Sequence, residues 1–352
     1  MEELPKSLVE QLAPRYTLER EIGAGGMARV YLATEDHPHR KVAIKVLDPD
    51  LCTRLFRERF LREVELASSL SHPHIVPVFA AGGVDCYLYY VMPYIEGESL
   101  RRRLEREGAL RLDDALHVTA DVADALGHAH ANGIIHRDIK PENILLSGGH
   151  AVVADFGIAR AISAAGEPSL TQTGQPIGSM NYMSPEQAFG SGTLDARTDV
   201  YSLACVLFEM LAGEPPARNP LDPRVQNWEL LDHSPGLRAR ATGARRGVKH
   251  AISMALRAAP EERFTTVAEF AAALGVSRVP QPTVPYRLIP NRVWHAAVLG
   301  SAAVALIGAA FALTAGHRPT LRRDRVVVAV IENHTGDPTL DNLGHMAADW
   351  VT

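Results

Sequence analysis

The sequence predicts an α+β protein of two unequal lobes followed by one transmembrane helix. Short strand-like runs crowd residues 16–93, and helical periodicity dominates from residue 112 to 275. A single uncharged stretch, AAVLGSAAVALIGAAFALTA, fills residues 296–315. Strands first and helices after is the order of a small β-rich lobe joined to a larger helical one, with a cleft between them as the natural ligand site.

Composition narrows the class. The chain has 352 residues, 46% hydrophobic and 22% charged, so it can bury a full core. A net charge of −5 gives no basic footprint for nucleic acid. Cys52, Cys86 and Cys205 lie far apart and form neither a CxxC pair nor a disulfide framework. That usage fits a reducing compartment, with the thiols as small apolar core groups. The opening MEELPKSLVEQLAP lacks the basic start and apolar run of a secretory signal.

The elements follow in order. Residues 1–11 read as an N-terminal extension. Tyr16 to Leu47 holds three short strand-like runs, Arg54 to Leu70 a helix, and Val76 to Pro93 two strands. Leu112 to Asn132 is helical, with apolar positions at Leu116, Val122, Ala123, Leu126 and Ala129. Residues 12–275 thus form one soluble domain. Residues 276–292 carry Pro280, Pro282, Pro285 and Pro290, a density that excludes helix and central strand and leaves an extended linker. The transmembrane helix spans 293–316: twenty apolar residues at about 1.5 Å each cover about 30 Å, the hydrocarbon thickness. Ser301, Ala305 and Ala309 recur every four residues along it, a small-residue face that fits either lipid or a second copy of the helix. Residues 317–352 contain a strand-like run, Val326 to Ile331, and a helix opening near Leu340, and read as the start of an extracytoplasmic module.

Five segments carry chemistry. Gly23-Ala24-Gly25-Gly26 lies between two strands, where absent side chains let backbone N–H groups approach phosphate oxygens. A strand on both sides argues against a dinucleotide fingerprint, which needs a helix directly after the loop. Val42-Ala43-Ile44-Lys45 places Lys45 on one strand face, ahead of a helix bearing Glu63 as a candidate partner. His136-Arg137-Asp138-Ile139-Lys140-Pro141-Glu142-Asn143 brackets a tight loop with an acid and an amide, one suited to accept a hydroxyl proton and one to bind a metal. Asp155-Phe156-Gly157 ends an apolar run with a carboxylate fit for Mg2+. Met183-Ser184-Pro185-Glu186 comes last.

In this order and spacing the five resemble the signature set of the protein kinases, and in detail the bacterial membrane-bound serine/threonine kinases of the Hanks type. The resemblance spans about three quarters of the chain and implies the two-lobed protein-kinase fold, with these roles. Gly23, Gly25 and Gly26 cover the phosphates of ATP. Lys45 contacts them and pairs with Glu63. Asp138 is the catalytic base, and Lys140 touches the γ-phosphate, a lysine typical of serine/threonine kinases. Asn143 and Asp155 hold Mg2+, or Mn2+ in its place. Ile22, Val30, Ala43 and Leu145 enclose the adenine, Met92 is the gatekeeper, and the backbone of Pro93 and Ile95 forms the hinge. Asp199 braces the catalytic loop, and Glu186 pairs with Arg263. Ala28, Ser184 and Ala204 depart from the family's usual glycine, alanine and glycine, Pro93 removes a hinge donor, and residues 218–246 follow the family pattern poorly.

The segment from Asp155 to Glu186 is small, polar and glycine-containing. Phosphorylation of Thr171 and Thr173 in it is expected to create a partner for Arg137 and to activate the enzyme. Ser179 is expected to position the substrate hydroxyl. The expected partners are ATP, proteins bearing Ser or Thr, the lipid bilayer and a second copy of the chain, with no nucleic acid. Arginines flank the apolar stretch on both sides, so charge bias gives no orientation. ATP places the kinase lobes in the cytoplasm. The competing reading, a membrane-tethered pseudokinase scaffold, predicts gaps among Lys45, Glu63, Asp138, Asn143 and Asp155, and all five are present.

Overall fold

The structure is a computed structural model that describes residues 4–25, 28–51, 53–156, 181–190, 194–219, 222–225, 227–238 and 242–276. The chain divides into two units, Met1–Tyr286 and Arg287–Thr352. Gly26, Gly157, Thr171, Thr173, Ser179 and the apolar stretch 296–315 lie outside the described residues. Among the described residues no helix is long and apolar enough to cross a membrane.

The first lobe is one antiparallel sheet of five strands: β1 (Tyr16–Gly25), β2 (Ala28–Glu35), β3 (Arg40–Leu47), β4 (Ala80–Val84) and β5 (Tyr87–Pro93), in the order β1-β2-β3-β5-β4. The alternation of β3 decides what each face buries. Val42, Ile44 and Val46 join Tyr16, Tyr31, Ala33 and Val91 on one side, while Ala43 and Leu47 turn to the other with Leu88, Tyr90 and Met92. Two helices cover these faces. On α1 (Lys6–Leu12), Leu8 and Leu12 are wholly buried against the first set. The segment set apart as an extension therefore supplies part of the sheet's outer core. On α2 (Arg54–Ser68), Phe56, Phe60, Val64 and Ala67 fall on one helical stripe and are buried; the first three join the second set. The Thr53 hydroxyl accepts from the Phe56 N–H at 3.1 Å and starts α2.

The second lobe is helical. α3 (Leu100–Glu107) and α4 (Leu112–Ala131) precede the hairpin of a small sheet formed by β6 (Glu98–Ser99), β7 (Ile144–Ser147) and β8 (His150–Val153). Next come α5 (Pro185–Ala188) and α6 (Arg197–Ala212), and the described C-terminal helices α7 (Glu229–His233), α8 (Pro235–Arg238), α9 (Thr242–Ala255) and α10 (Val267–Ala273). Every residue of α6 from Thr198 to Leu211 is buried, so it is the post around which the lobe packs. Ala204 sits there at full burial, where its methyl group fills core space. Gly213 in the left-handed conformation (φ +84°) ends the helix.

The strand and helix assignments made for residues 16–132 agree with the structure to within a few residues at their ends, and the run Val326–Ile331 and the helix expected near Leu340 lie outside the described residues. Cys205 is a core residue as expected and Cys52 lies outside the described residues, but Cys86, in the β4–β5 turn, is exposed. A two-residue turn gives its side chain nothing to pack against.

Candidate active site

β3 and β5 pair with Lys45 directly opposite Tyr90, so the two side chains leave the sheet together. They converge on Asp155, two residues past the end of β8. Lys45 Nζ lies 2.5 Å from Asp155 Oδ2. The Tyr90 phenol, itself buried, donates to Oδ1. Burial by itself would raise the Asp155 pKa, but the Lys45 charge and both hydrogen bonds outweigh it and hold the carboxyl below its ordinary range. Burial, and then the Asp155 charge, drive the Tyr90 phenol far above its usual value, so it stays a donor. The ion pair seen for Lys45 is with Asp155; pairing with Glu63, on α2, remains an expectation.

The catalytic loop is fastened from below by α6. Asp199, fully buried, accepts the backbone N–H groups of His136 and Arg137 at 2.9 and 2.8 Å, and His130 Nε2 lies 2.7 Å from it. Arg137 has φ +69° and Asp155 φ +67°, left-handed conformations that cost roughly 1–3 kcal/mol each and persist only when neighbours fix them. Asp199 holds the first, and Lys45 and Tyr90 hold the carboxylate of the second. His136 joins the two segments: its Nε2 lies 2.9 Å from the Ala154 carbonyl oxygen, and its ring meets Phe156 edge-on at 4.6 Å.

Above this base Asp138, Lys140 and Asn143 gather. Lys140 Nζ lies 2.6 Å from Asp138 Oδ2, and Asn143 Nδ2 donates to the same oxygen at 3.0 Å and to the Asp138 carbonyl at 2.8 Å. The Asn143 carbonyl oxygen in turn accepts from the Ala154 N–H at 2.9 Å, tying the loop to the strand that delivers Asp155. An amide and a hydrogen-bonded carboxylate are hard oxygen donors of the kind Mg2+ takes, so Asn143 and Asp155 fit the metal the sequence implies.

The residues expected around the adenine share one apolar cluster. Ala43 and Met92 are buried in one cluster, and Ile22, Val30, Ile95 and Leu145 pack against it. Gly23 and Gly25 sit at the β1–β2 end of the sheet, where Gly25 pairs with Ala28. Past the hinge, Gly97 (φ +146°) lies so close to β7 that a Cβ there would come 1.9 Å from the Leu146 carbonyl oxygen, which explains its residue type.

Glu186 and Arg263 form a bidentate, buried ion pair at 2.8 and 2.7 Å. Ser184, which departs from the family pattern, starts α5 as half of a capping box with Gln187. Gln187 also donates to the Arg137 carbonyl at 2.8 Å. The sequence did not point to Tyr90, His130 or Gln187. Tyr90 carried a signal only through its cross-strand register with Lys45.

Residues 16–272 match the protein kinase domain family. This chain belongs to that family. It is 44% identical over 269 residues to serine/threonine-protein kinase PknB of Mycobacterium tuberculosis, covering 75% of this chain and 43% of that protein. Against serine/threonine-protein kinase PknD of the same organism it is 40% identical over 261 residues, 73% of this chain and 39% of that one. The chain thus spans about two fifths of the length of these curated relatives. Among solved structures, the kinase domain of M. tuberculosis PknI, crystallised as a cysteine-to-alanine mutant, matches with a TM-score of 0.60 and 32% identity, over 74% of this chain and 94% of that chain.

Proposed function

We propose that this chain is an ATP- and Mg2+-dependent serine/threonine protein kinase, anchored in the cytoplasmic membrane by residues 293–316 and activated by phosphorylation of its own loop at Thr171 and Thr173. The observation that carries the reading is that Lys45 meets Asp155 while Lys140 and Asn143 meet Asp138, on two segments tied together by the Ala154 N–H to Asn143 carbonyl bond. Bound Mg2+ would neutralise charge on the phosphates. This chain's residues do the rest. The slot of Ile22, Val30, Ala43, Met92 and Leu145 takes the purine, with the Pro93 and Ile95 backbone at the hinge. Lys45 aligns the phosphates. Asp138 orients the protein hydroxyl and accepts its proton, and Lys140 stabilises the transferring group. Phosphoryl transfer needs alignment and charge neutralisation more than covalent help.

Regulation and anchoring rest on the sequence. Arg137 adjoins Asp138, so a phosphate on the loop would link loop order to the base. The uncharged stretch 296–315 has the length of a membrane span. It also offers a face for a second copy of the chain, whose protein substrates bear Ser or Thr. The test incubates the full chain with Mg·ATP and maps phosphate by mass spectrometry, beside Thr171→Ala/Thr173→Ala, and fractionates membranes from cells with and without residues 293–316. Phosphate on the loop, lower activity in the double variant and release of the deleted form into the soluble fraction are expected. An unmodified loop with unchanged activity would remove the activation step, and a deleted form that stays membrane-bound would remove the anchor.

A further inference from the structure

Outside the residues assigned to nucleotide and catalysis, three distant segments bring metal-ligating side chains together. His74, in the link between α2 and β4, is buried, with Nδ1 2.8 Å from the Ala151 carbonyl oxygen. A carbonyl accepts only from an N–H, so Nδ1 carries the proton. His74 Nε2 then faces Asp121 Oδ1 at 3.5 Å. Asp121, fully buried on α4, is fixed through Oδ2 by the Ala151 N–H at 2.9 Å. His150, exposed at the start of β8, places Nδ1 3.5 Å from the same Oδ2. One ligand atom from each of the three lies within 4.8 Å of the other two. His117, one helical turn before Asp121, brings its Nε2 to 3.7 Å from Oδ2. That nitrogen also lies 3.1 Å from the Gly149 carbonyl oxygen, a contact it would give up to become a ligand.

With Nδ1 protonated, a neutral His74 turns the Nε2 lone pair toward a carboxylate oxygen, which is repulsive. The contact calls for positive charge, either a second proton on His74 or a cation shared among the ligands. A proton would settle the His74–Asp121 contact alone and would not explain why further imidazoles gather on the same carboxylate. A cation accounts for all of them. A tetrahedral zinc ion with bonds of about 2.1 Å holds its ligand atoms about 3.4 Å apart, close to the 3.5 Å that separates each of His74 and His150 from an oxygen of Asp121. The Nδ1–H to backbone carbonyl bond is also how a metal-bound histidine is oriented. Access exists: a surface cavity of about 650 Å³ is lined by His117, His150, Ser147 and Gly149.

We propose that His74, Asp121 and His150 bind one Zn2+, with water or His117 in the fourth position. The ion ties the α2–β4 link and α4 to the turn that opens β8, the strand that ends two residues before Asp155. It is a site separate from Asn143 and Asp155, whose oxygen donors suit Mg2+.

The test uses the full chain without a polyhistidine tag, stripped by chelator and titrated with Co2+, whose tetrahedral complexes absorb strongly in the visible. Saturation at one equivalent, displacement of the colour by Zn2+, and at least a tenfold weaker affinity in His150→Ala are expected. His150 is exposed, so its loss leaves the fold intact, which thermal unfolding of the metal-free variant checks. Absence of saturable tetrahedral binding would overturn the proposal, as would equal affinity in His150→Ala.

Discussion

Tyr90 and Lys45 stand opposite each other on paired strands and divide the two carboxylate oxygens of Asp155 between them. The fold thereby fixes the orientation of the carboxylate proposed to hold Mg2+. A hydrogen bond to a charged group contributes about 1.5–3 kcal/mol. Tyr90→Phe keeps the buried ring and removes only that bond. Its apparent Mg2+ requirement should rise at least about fivefold with little loss of thermal stability, measured by steady-state kinetics over a Mg2+ series. An unchanged Mg2+ dependence would show that Lys45 alone places the carboxylate.

The buried pair Glu186–Arg263 should behave as a unit. Removing one partner leaves a buried charge uncompensated, which costs about 3–5 kcal/mol. Glu186→Ala and Arg263→Ala should each lower the melting temperature sharply, and the double variant should lose less than the sum. Additive losses in thermal unfolding would mean that the two groups do not depend on each other.

Acid should destabilise the fold through three carboxyls. In Asp155, Asp199 and Glu186 burial pushes the pKa up, but Lys45, His130 and Arg263 respectively, with their hydrogen bonds, bring it below the ordinary value. The folded pKa lies below the unfolded one, so the unfolded chain binds more protons as pH falls. The stability these groups contribute is whole above about pH 5, past the unfolded carboxylate values of about 3.9–4.3, and is lost as pH falls through the folded values. Melting temperature should be flat from pH 7 to 5 and drop below it, and Glu186→Gln should shrink the drop. An equal drop in that variant would remove Glu186 from the explanation.

Gly97→Ala should damage the passage from hinge to β7, because its Cβ would meet the Leu146 carbonyl oxygen in a backbone conformation strained for alanine. We expect a loss of about 1–3 kcal/mol in denaturant unfolding, with weaker ATP binding. Gly148, at φ +58° with open space around it, serves as control: alanine there meets no atom and should cost less.

Much of this was legible in the sequence, for identifiable reasons. Period-two alternation gave β3 and put Lys45 on one of its faces, and the motif order named Asp138, Asn143 and Asp155, because their chemistry is local to short loops. Asp199 and the Glu186–Arg263 pair came through the family resemblance, and the geometry brings both together. What stayed hidden depends on register and on packing between remote segments. Tyr90 reads as one more apolar strand residue until β5 is laid against β3. His74, Asp121 and His150 stand in three unrelated contexts until α4 and the β7–β8 turn meet. Ser184 looked like a lapse from the pattern, and only the geometry of α5 shows it as a helix cap.

In the proposed function Asp138 serves the transfer of phosphate from a nucleotide held by Lys45 and Asp155. The direct measurement incubates the full chain and Asp138→Asn with labelled ATP and Mg2+ and counts label in protein. The wild-type chain should incorporate phosphate on Ser or Thr, and Asp138→Asn should fall at least about a hundredfold, the scale of a lost general base. Equal incorporation by the two proteins would contradict the account.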